Sequence, residues 1–105
     1  MSQSMASNPS DRIPVRVNPL LREIVPEFLN NARDDVQALR VALVQADYPT
    51  VARLGHSMKG SSSVGFDYLA DLGLQLEDAA NQGESNEIEL LVRNLEDYLD
   101  RVEPI

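Results

Sequence analysis

Apolar residues recur along most of this chain at intervals of three and four, which is the period of an amphipathic helix. From Asn18 onward they form four long stripes joined by short polar connections, and short connections favour consecutive helices that run antiparallel. The pattern therefore predicts an all-α fold, an antiparallel up-down four-helix bundle. Its apolar stripes are Phe28, Leu29, Ala32, Val36, Leu39 and Leu43; Val51, Leu54 and Met58; Leu69, Leu72, Leu76, Ala79 and Ala80; and Ile88, Leu91, Leu95, Leu99 and Val102.

The first 17 residues differ from the rest. Residues 1–10 are small and polar without periodic apolar positions, so they are expected to form a mobile tail. Ile13, Val15 and Val17 then alternate with other residues, which favours an extended segment lying against the domain. The sequence thus divides into a flexible or extended tail over 1–17 and a helical bundle domain over 18–105.

Caps and breakers predict the helix boundaries. Asn18 followed by Pro19 indicates a short additional N-terminal helix, which is expected to break or kink at Pro26. If this short helix is counted as the first, the third helix is the one that carries Val51, Leu54 and Met58. Asp47 is expected to cap its N-terminus, and Gly65 is expected to end it in the left-handed conformation.

Composition narrows the possible functions. The 105 residues suffice for one domain, and 17 acidic against 9 basic side chains give a net charge of −8, which argues against nucleic acid as a partner. The absence of Cys and the single His exclude a thiolate metal site and a multi-histidine metal site. No secretory signal or membrane-length apolar segment is present, which predicts a cytoplasmic protein without a membrane partner.

One constellation could carry chemistry. His56, Lys59 and Gly60 stand at i, i+3 and i+4 and therefore share one face of the third helix. The apolar stripe of that helix lies elsewhere, so His56 is expected to point outward. A lone His is more often a surface or satisfied core residue, but both neighbours at these offsets are rarely found by chance.

Phosphoryl transfer suits this arrangement. A neutral imidazole is a nucleophile that can accept a phosphoryl group on a ring nitrogen. The ammonium group of Lys59, one turn along, can balance the charge of the phosphoryl oxygens. Gly60 removes a side chain beside the ring, so a bulky partner can approach. Use of this bare surface would explain why a glycine, which destabilises a helix, stands here.

The stretch LGHSMKGSSSVGFDYLADLGLQLEDAA resembles the histidine-containing phosphotransfer (HPt) domains of phosphorelays, and the resemblance covers roughly residues 12–103. It implies a four-helix bundle without kinase or phosphatase activity, in which His56 accepts a phosphoryl group from a receiver aspartate and passes it to another receiver. Lys59 would stabilise the phosphate and Gly60 would give clearance. The implied partners are response-regulator receivers and a hybrid histidine kinase. Magnesium would be bound by the receiver, so no metal or cofactor is expected on this chain, which is expected to be a monomer.

The chain departs from the family pattern at the end of its third helix. Gly65 follows His56 by nine residues, where many family members have ten, and Ser61, Ser62 and Ser63 occupy a region that is often rich in Gly or Ala. This departure keeps a second hypothesis open, a helical docking module that binds a partner without being phosphorylated. The serine run could also be a kinase substrate, although small polar residues at a helix end are commoner.

A further residue follows from hairpin geometry. If the third and fourth helices turn back at Gly65, Glu77 passes close to His56 and could accept a hydrogen bond from one ring nitrogen, leaving the other free. An exposed helix carboxylate is an equally plausible interpretation of Glu77.

Partner docking is expected over the exposed third helix and its neighbour, with contacts from Ala52, Arg53, Ser63, Leu72 and Gly73. No acidic residue lies between Asp47 and Asp67, so this face is predicted to be locally positive.

Overall fold

A computed structural model of the chain describes residues 11–105. The fold is mostly helical and contains four α-helices, as the apolar period predicts; the predicted mobile tail over 1–10 lies outside the described residues. In chain order the elements are strand β1 (Ile13–Val15), a 3-10 helix (Pro19–Ile24), α1 (Val25–Val44), α2 (Tyr48–Met58), a second 3-10 helix (Lys59–Ser63), α3 (Asp67–Asn81), α4 (Ser85–Arg101) and strand β2 (Val102–Pro104).

Side-chain caps begin two of the helical segments. The Asn18 side chain accepts a hydrogen bond from the Leu20 amide at 3.0 Å, at the start of the first 3-10 helix. Asp47 accepts from the Thr50 amide at 3.3 Å and from its hydroxyl at 2.7 Å, at the start of α2. Both caps lie where the sequence predicts them, because a short polar side chain satisfies amides that have no helical partner.

Pro26 does not break a helix. It lies in the first turn of α1, where its missing N–H group leaves no hydrogen bond unmade, and the short 3-10 helix runs directly into α1 at Val25. The expected kink is thus replaced by a change of helix type.

The third predicted helix is shorter than the sequence indicates. Its α-helical part ends at Met58, and the chain continues as a 3-10 helix to Ser63. Gly65 then has φ +118°, and a Cβ there would lie 2.8 Å from the Arg16 carbonyl oxygen. Glycine at this position therefore meets two demands, a positive φ and a close approach of the N-terminal segment.

The N- and C-terminal segments of the described chain form a small parallel sheet. Ile13 pairs with Val102 and Val15 with Pro104, and the Val17 amide donates to the Ile105 carbonyl at 3.2 Å. Val17 is buried, so the extended segment predicted over 13–17 is part of the folded unit rather than separate from it. Strand β2 corrects the expectation that the last helix includes Val102: α4 ends at Arg101, and Val102 has extended backbone and pairs with Ile13.

The apolar stripes of the four helices meet in one core. The Phe28 ring from α1 stacks on Phe66 at a centroid distance of 5.4 Å, just before α3 begins. Polar contacts join α1 to α4: Arg33 donates to the Leu99 carbonyl, whereas Arg40, two turns later, pairs with Glu89 and Glu96. These contacts hold α1 and α4 side by side.

Within residues 11–105, no helix combines the length and the apolar character that a bilayer crossing requires.

Candidate functional site

The site is built on an unusually close contact between α2 and α3. A Cβ added at Gly55 would lie 2.6 Å from the Gly73 carbonyl oxygen, and one added at Gly73 would lie 2.6 Å from both the Gly55 carbonyl oxygen and the Met58 Cβ. These distances are shorter than real Cβ contacts, so the two backbones reach each other only because both residues are glycine. We call this contact the glycine seam.

The glycine seam places His56 beside Glu77. Gly55 precedes the histidine on α2, and an added Cβ there would also lie 2.9 Å from the Glu77 amide nitrogen on α3. The His56 Nδ1 atom lies 3.2 Å from Glu77 Oε2. The backbone approach therefore fixes which carboxylate meets the ring.

Lys59 completes a three-residue cluster on this face. Its Nζ lies 3.0 Å from Glu77 Oε1, so one carboxylate binds the ammonium with one oxygen and the imidazole with the other. The exposed fraction of the side chain is 66% for His56 but 26% for Glu77. The ring thus stands at the surface, while the group that holds it is largely covered.

The protonation of Glu77 decides which ring nitrogen is free. The hydrogen bond from Lys59, together with the weaker one from His56, holds the pKa of Glu77 below its ordinary value. At neutral pH the group is a carboxylate, which can only accept hydrogen bonds. A hydrogen bond to this carboxylate requires a proton on Nδ1, so in the neutral ring the lone pair lies on Nε2.

Gly60 contrasts with the glycines of the seam. A Cβ added there would meet nothing within 4 Å, and the residue is exposed in the 3-10 helix that follows α2. Internal packing therefore does not require glycine at this position. What the missing side chain leaves free is open space outside the protein, four residues after His56.

The charge of this face differs from the prediction made from the residues between Asp47 and Asp67. Neighbouring helices bring in two carboxylates, Glu77 from α3 and Asp35 from α1. Burial, with a smaller effect of Asp34, raises the pKa of Asp35, and the nearby Arg53 opposes that rise. The cations on the face are thus partly balanced by carboxylates from other parts of the sequence.

The predicted partner residues fall into two groups. On α2, Arg53 is exposed and Ala52 is half-buried. Ser63, in the following 3-10 helix, is exposed as well, and its hydroxyl donates to the Gly60 carbonyl at 2.8 Å. These three lie where a partner could reach them.

Leu72 and Gly73 do not lie on an accessible surface, which corrects their assignment as partner contacts. Leu72 is 2% exposed within the core, and Gly73 forms half of the glycine seam. The expectation failed because α3 turns these two positions toward α2 and the core rather than along the exposed side of the hairpin.

Gly55 is a site residue that the sequence reasoning missed. The sequence does contain a signal for it, because glycine in a helix interior destabilises the helix by about 1 kcal/mol relative to alanine. A glycine at this position therefore indicates a close contact or a functional role. The reason becomes visible only with Gly73 opposite, on a helix 18 residues further along the sequence.

Comparison with known proteins supplies the family. The sequence profile of the Hpt domain matches residues 23–104. This range includes all four α-helices and every residue of the site. Comparison with curated proteins gave no match, nor did comparison with solved structures. The chain belongs to the Hpt domain family, whose members carry out histidine phosphotransfer in phosphorelays, as phosphocarriers that interact with receiver domains.

Proposed function

We propose that this Hpt domain is a phosphocarrier whose acceptor atom is Nε2 of His56, loaded by the aspartyl phosphate of one receiver domain and unloaded by the aspartate of another. The observation that carries the proposal is the hydrogen bond of Nδ1 to Glu77, which leaves the opposite ring nitrogen free on a side chain that is 66% exposed. A nucleophile at the surface, held in one tautomer, is what transfer between two protein partners requires.

The transfer step balances without an added reactant. The Nε2 lone pair attacks phosphorus in line with the leaving carboxylate oxygen, the N–P bond forms, and the P–O bond breaks with its electron pair returning to the receiver aspartate. Nδ1 keeps its proton throughout, so the phosphorylated ring is cationic and the Glu77 carboxylate beside it balances that charge. Attack on Nε2–P by a second receiver aspartate reverses the sequence and restores the neutral ring.

Lys59 would change partners during this cycle. In the unphosphorylated protein its ammonium group is paired with Glu77 Oε1. A phosphoryl group on Nε2 brings additional negative oxygens to the same face, and the flexible lysine side chain can turn toward them. Glu77 then remains as the partner of the cationic ring.

Gly60 and the exposed cations would serve the approach of the receiver. The open space beside Gly60 admits the partner surface, and Arg53 offers a positive charge to its acidic pocket. Magnesium belongs to that receiver pocket in this proposal, and no cofactor is assigned to the present chain. The partners are response-regulator receivers and a hybrid histidine kinase, met by a cytoplasmic monomer.

The test is transfer from a phosphorylated receiver to the parent protein and to His56→Gln. The parent should gain an acid-labile label and the variant none, while both give the same circular dichroism spectrum because His56 lies on the surface. Label that persists in the variant, or label that survives acid, would place the phosphate elsewhere, with the serines at 61–63 as the first residues to examine. Receiver binding by both proteins without any phosphohistidine would favour the docking module instead.

A further inference from the structure

A groove lies at the end of the bundle where the terminal sheet meets α3 and α4. It is a half-open groove of about 450 Å³. Its lining includes the three residues of β1, Ile13, Pro14 and Val15, and two tyrosines, Tyr68 and Tyr98. None of the residues of the phosphotransfer cluster lines it, so whatever it binds is bound at a separate place.

Tyr98 is the least expected member of this lining. Its side chain is 3% exposed, yet within residues 11–105 its hydroxyl makes no hydrogen bond. Buried tyrosine hydroxyls are normally paired. Burial, with a smaller contribution from the charge of Asp67, raises the pKa of Tyr98 to about 12. The hydroxyl is therefore neutral at physiological pH and able to accept a hydrogen bond.

The charged groups of the groove differ in whether they have an ion-pair partner. Arg101 donates from Nε to the Asp11 carbonyl at 2.7 Å and from Nη1 to Asp97 at 2.9 Å, so this cation and Asp97 satisfy each other. Asp67 is exposed on the first turn of α3, and its carboxylate has no ion pair within the described part of the chain. The polar atoms left open are the Asp67 carboxylate, which only accepts hydrogen bonds, and the Tyr98 hydroxyl, whose oxygen can accept one as well as donate.

The two tyrosines add a second kind of attraction for a cation. The Tyr68 and Tyr98 rings are tilted by 55° with centroids 5.0 Å apart, and Tyr68 is 46% exposed. An accessible tyrosine face attracts a cation, and a planar guanidinium can stack on it while its forked N–H groups reach acceptors at the side. A lysine ammonium offers neither the flat face nor the fork.

The β1 edge does not favour the addition of a strand here. The strand has three residues, and Pro14 at its centre has no N–H group to donate. Side-chain recognition therefore fits this groove better than pairing with an extended backbone.

We propose that this groove binds an arginine side chain presented by a partner protein, held by Asp67, the Tyr98 hydroxyl and the face of Tyr68. The site is independent of the proposed phosphotransfer at His56. It gives the strongly acidic protein, with a net charge of −8, a specific contact for a basic partner surface away from the acceptor histidine.

The test is a ¹⁵N-resolved NMR titration of the whole chain with N-acetyl-L-arginine amide. The control ligand is N-acetyl-L-citrulline amide, the citrulline compound, in which a neutral urea group replaces the guanidinium. Because a single side chain offers few contacts, saturation is expected in the millimolar range. Arginine amide should shift resonances around Gly65, Asp67, Tyr68 and Arg101 but not those around His56. The citrulline compound should produce at least severalfold smaller shifts at equal concentration.

Two variants separate recognition from folding. Asp67→Asn changes an exposed carboxylate, and Tyr98→Phe removes only the hydroxyl; each should weaken arginine binding severalfold while the spectrum remains that of the folded protein. His56→Gln should bind the probe as the parent does, so failure of the phosphotransfer proposal would leave this result unchanged. Equal shifts with citrulline, undiminished binding in Asp67→Asn, or no saturable shifts would overturn the proposal.

Discussion

The protein uses glycine in two opposite ways within six residues of sequence. At Gly55 an added Cβ would lie 2.6 Å from the backbone of α3, whereas at Gly60 it would meet nothing within 4 Å. The first glycine allows two helices to approach closely and so sets the position of the ring. The second leaves open surface four residues after His56. The comparison shows that a reactive surface group needs a rigid contact behind it and free space in front of it.

The largest effect is expected from adding a side chain at Gly55, where the two helices are in contact. Gly55→Ala should lower the free energy of unfolding by about 2–3 kcal/mol, because the new methyl group meets backbone atoms that cannot move separately from α3. Urea denaturation measures this change. Gly60→Ala is the matched control, since it adds the same methyl group to the same region. Equal destabilisation by both substitutions would refute the distinction between the two glycines.

The next effect concerns the cation on the open side. Lys59→Ala should slow transfer from a phosphorylated receiver by roughly tenfold, which corresponds to about 1.4 kcal/mol of transition-state stabilisation. Single-turnover transfer rates measure it. Lys59→Arg keeps the positive charge and should retain most of the rate. If the alanine variant transfers as fast as the parent, the ammonium of Lys59 serves only its ion pair with Glu77.

A smaller effect is expected from filling the open side. Gly60→Ala should raise the free energy of unfolding by about 0.5–1 kcal/mol, because alanine loses less backbone entropy and meets no neighbour. Gly60→Leu should be stable as well but should slow transfer, since the longer side chain occupies the space proposed for the receiver. A Gly60→Leu protein that transfers at the parental rate would show that this space is not used.

Much of this architecture can be predicted from sequence, and the reasons for the failures are physical. The four apolar stripes and the Asn18 and Asp47 caps are local signals, so they locate the helices well. The end of α2 at Met58 and strand β2 are not encoded locally. They depend on the turn at Gly65 and on pairing between the two ends of the described chain.

The candidate site divides in the same way. His56, Lys59 and Gly60 lie within five residues of sequence, and their spacing alone identifies them. The contact with Glu77 follows from hairpin geometry, which sequence can anticipate. The orientation of Leu72 and Gly73 and the role of Gly55 depend on how α3 is rotated against α2, which periodicity does not specify.

The smallest effect is the pH dependence of the cluster. The pKa of Glu77 is lowered in the folded protein, so its ionised form stabilises the fold above the ordinary pKa of 4.5, and that contribution is lost as the pH falls through the lowered value. The difference in melting temperature between the parent and Glu77→Gln should therefore change between about pH 6 and pH 3. It should shrink in high salt, because the cluster is partly exposed. A difference that is constant with pH would contradict the ionised Glu77 assignment.

Glu77 is proposed to hold His56 in the tautomer that leaves Nε2 free, and ring-nitrogen NMR distinguishes the two tautomers. With ¹⁵N-labelled histidine, the unphosphorylated neutral ring should show a protonated Nδ1 and an unprotonated Nε2, and loading by a phosphorylated receiver should produce phosphorus coupling at Nε2 alone. The Glu77→Ala variant should show a mixture of the two tautomers. A phosphoryl group on Nδ1, or a protonated Nε2 in the free neutral ring, would contradict the account.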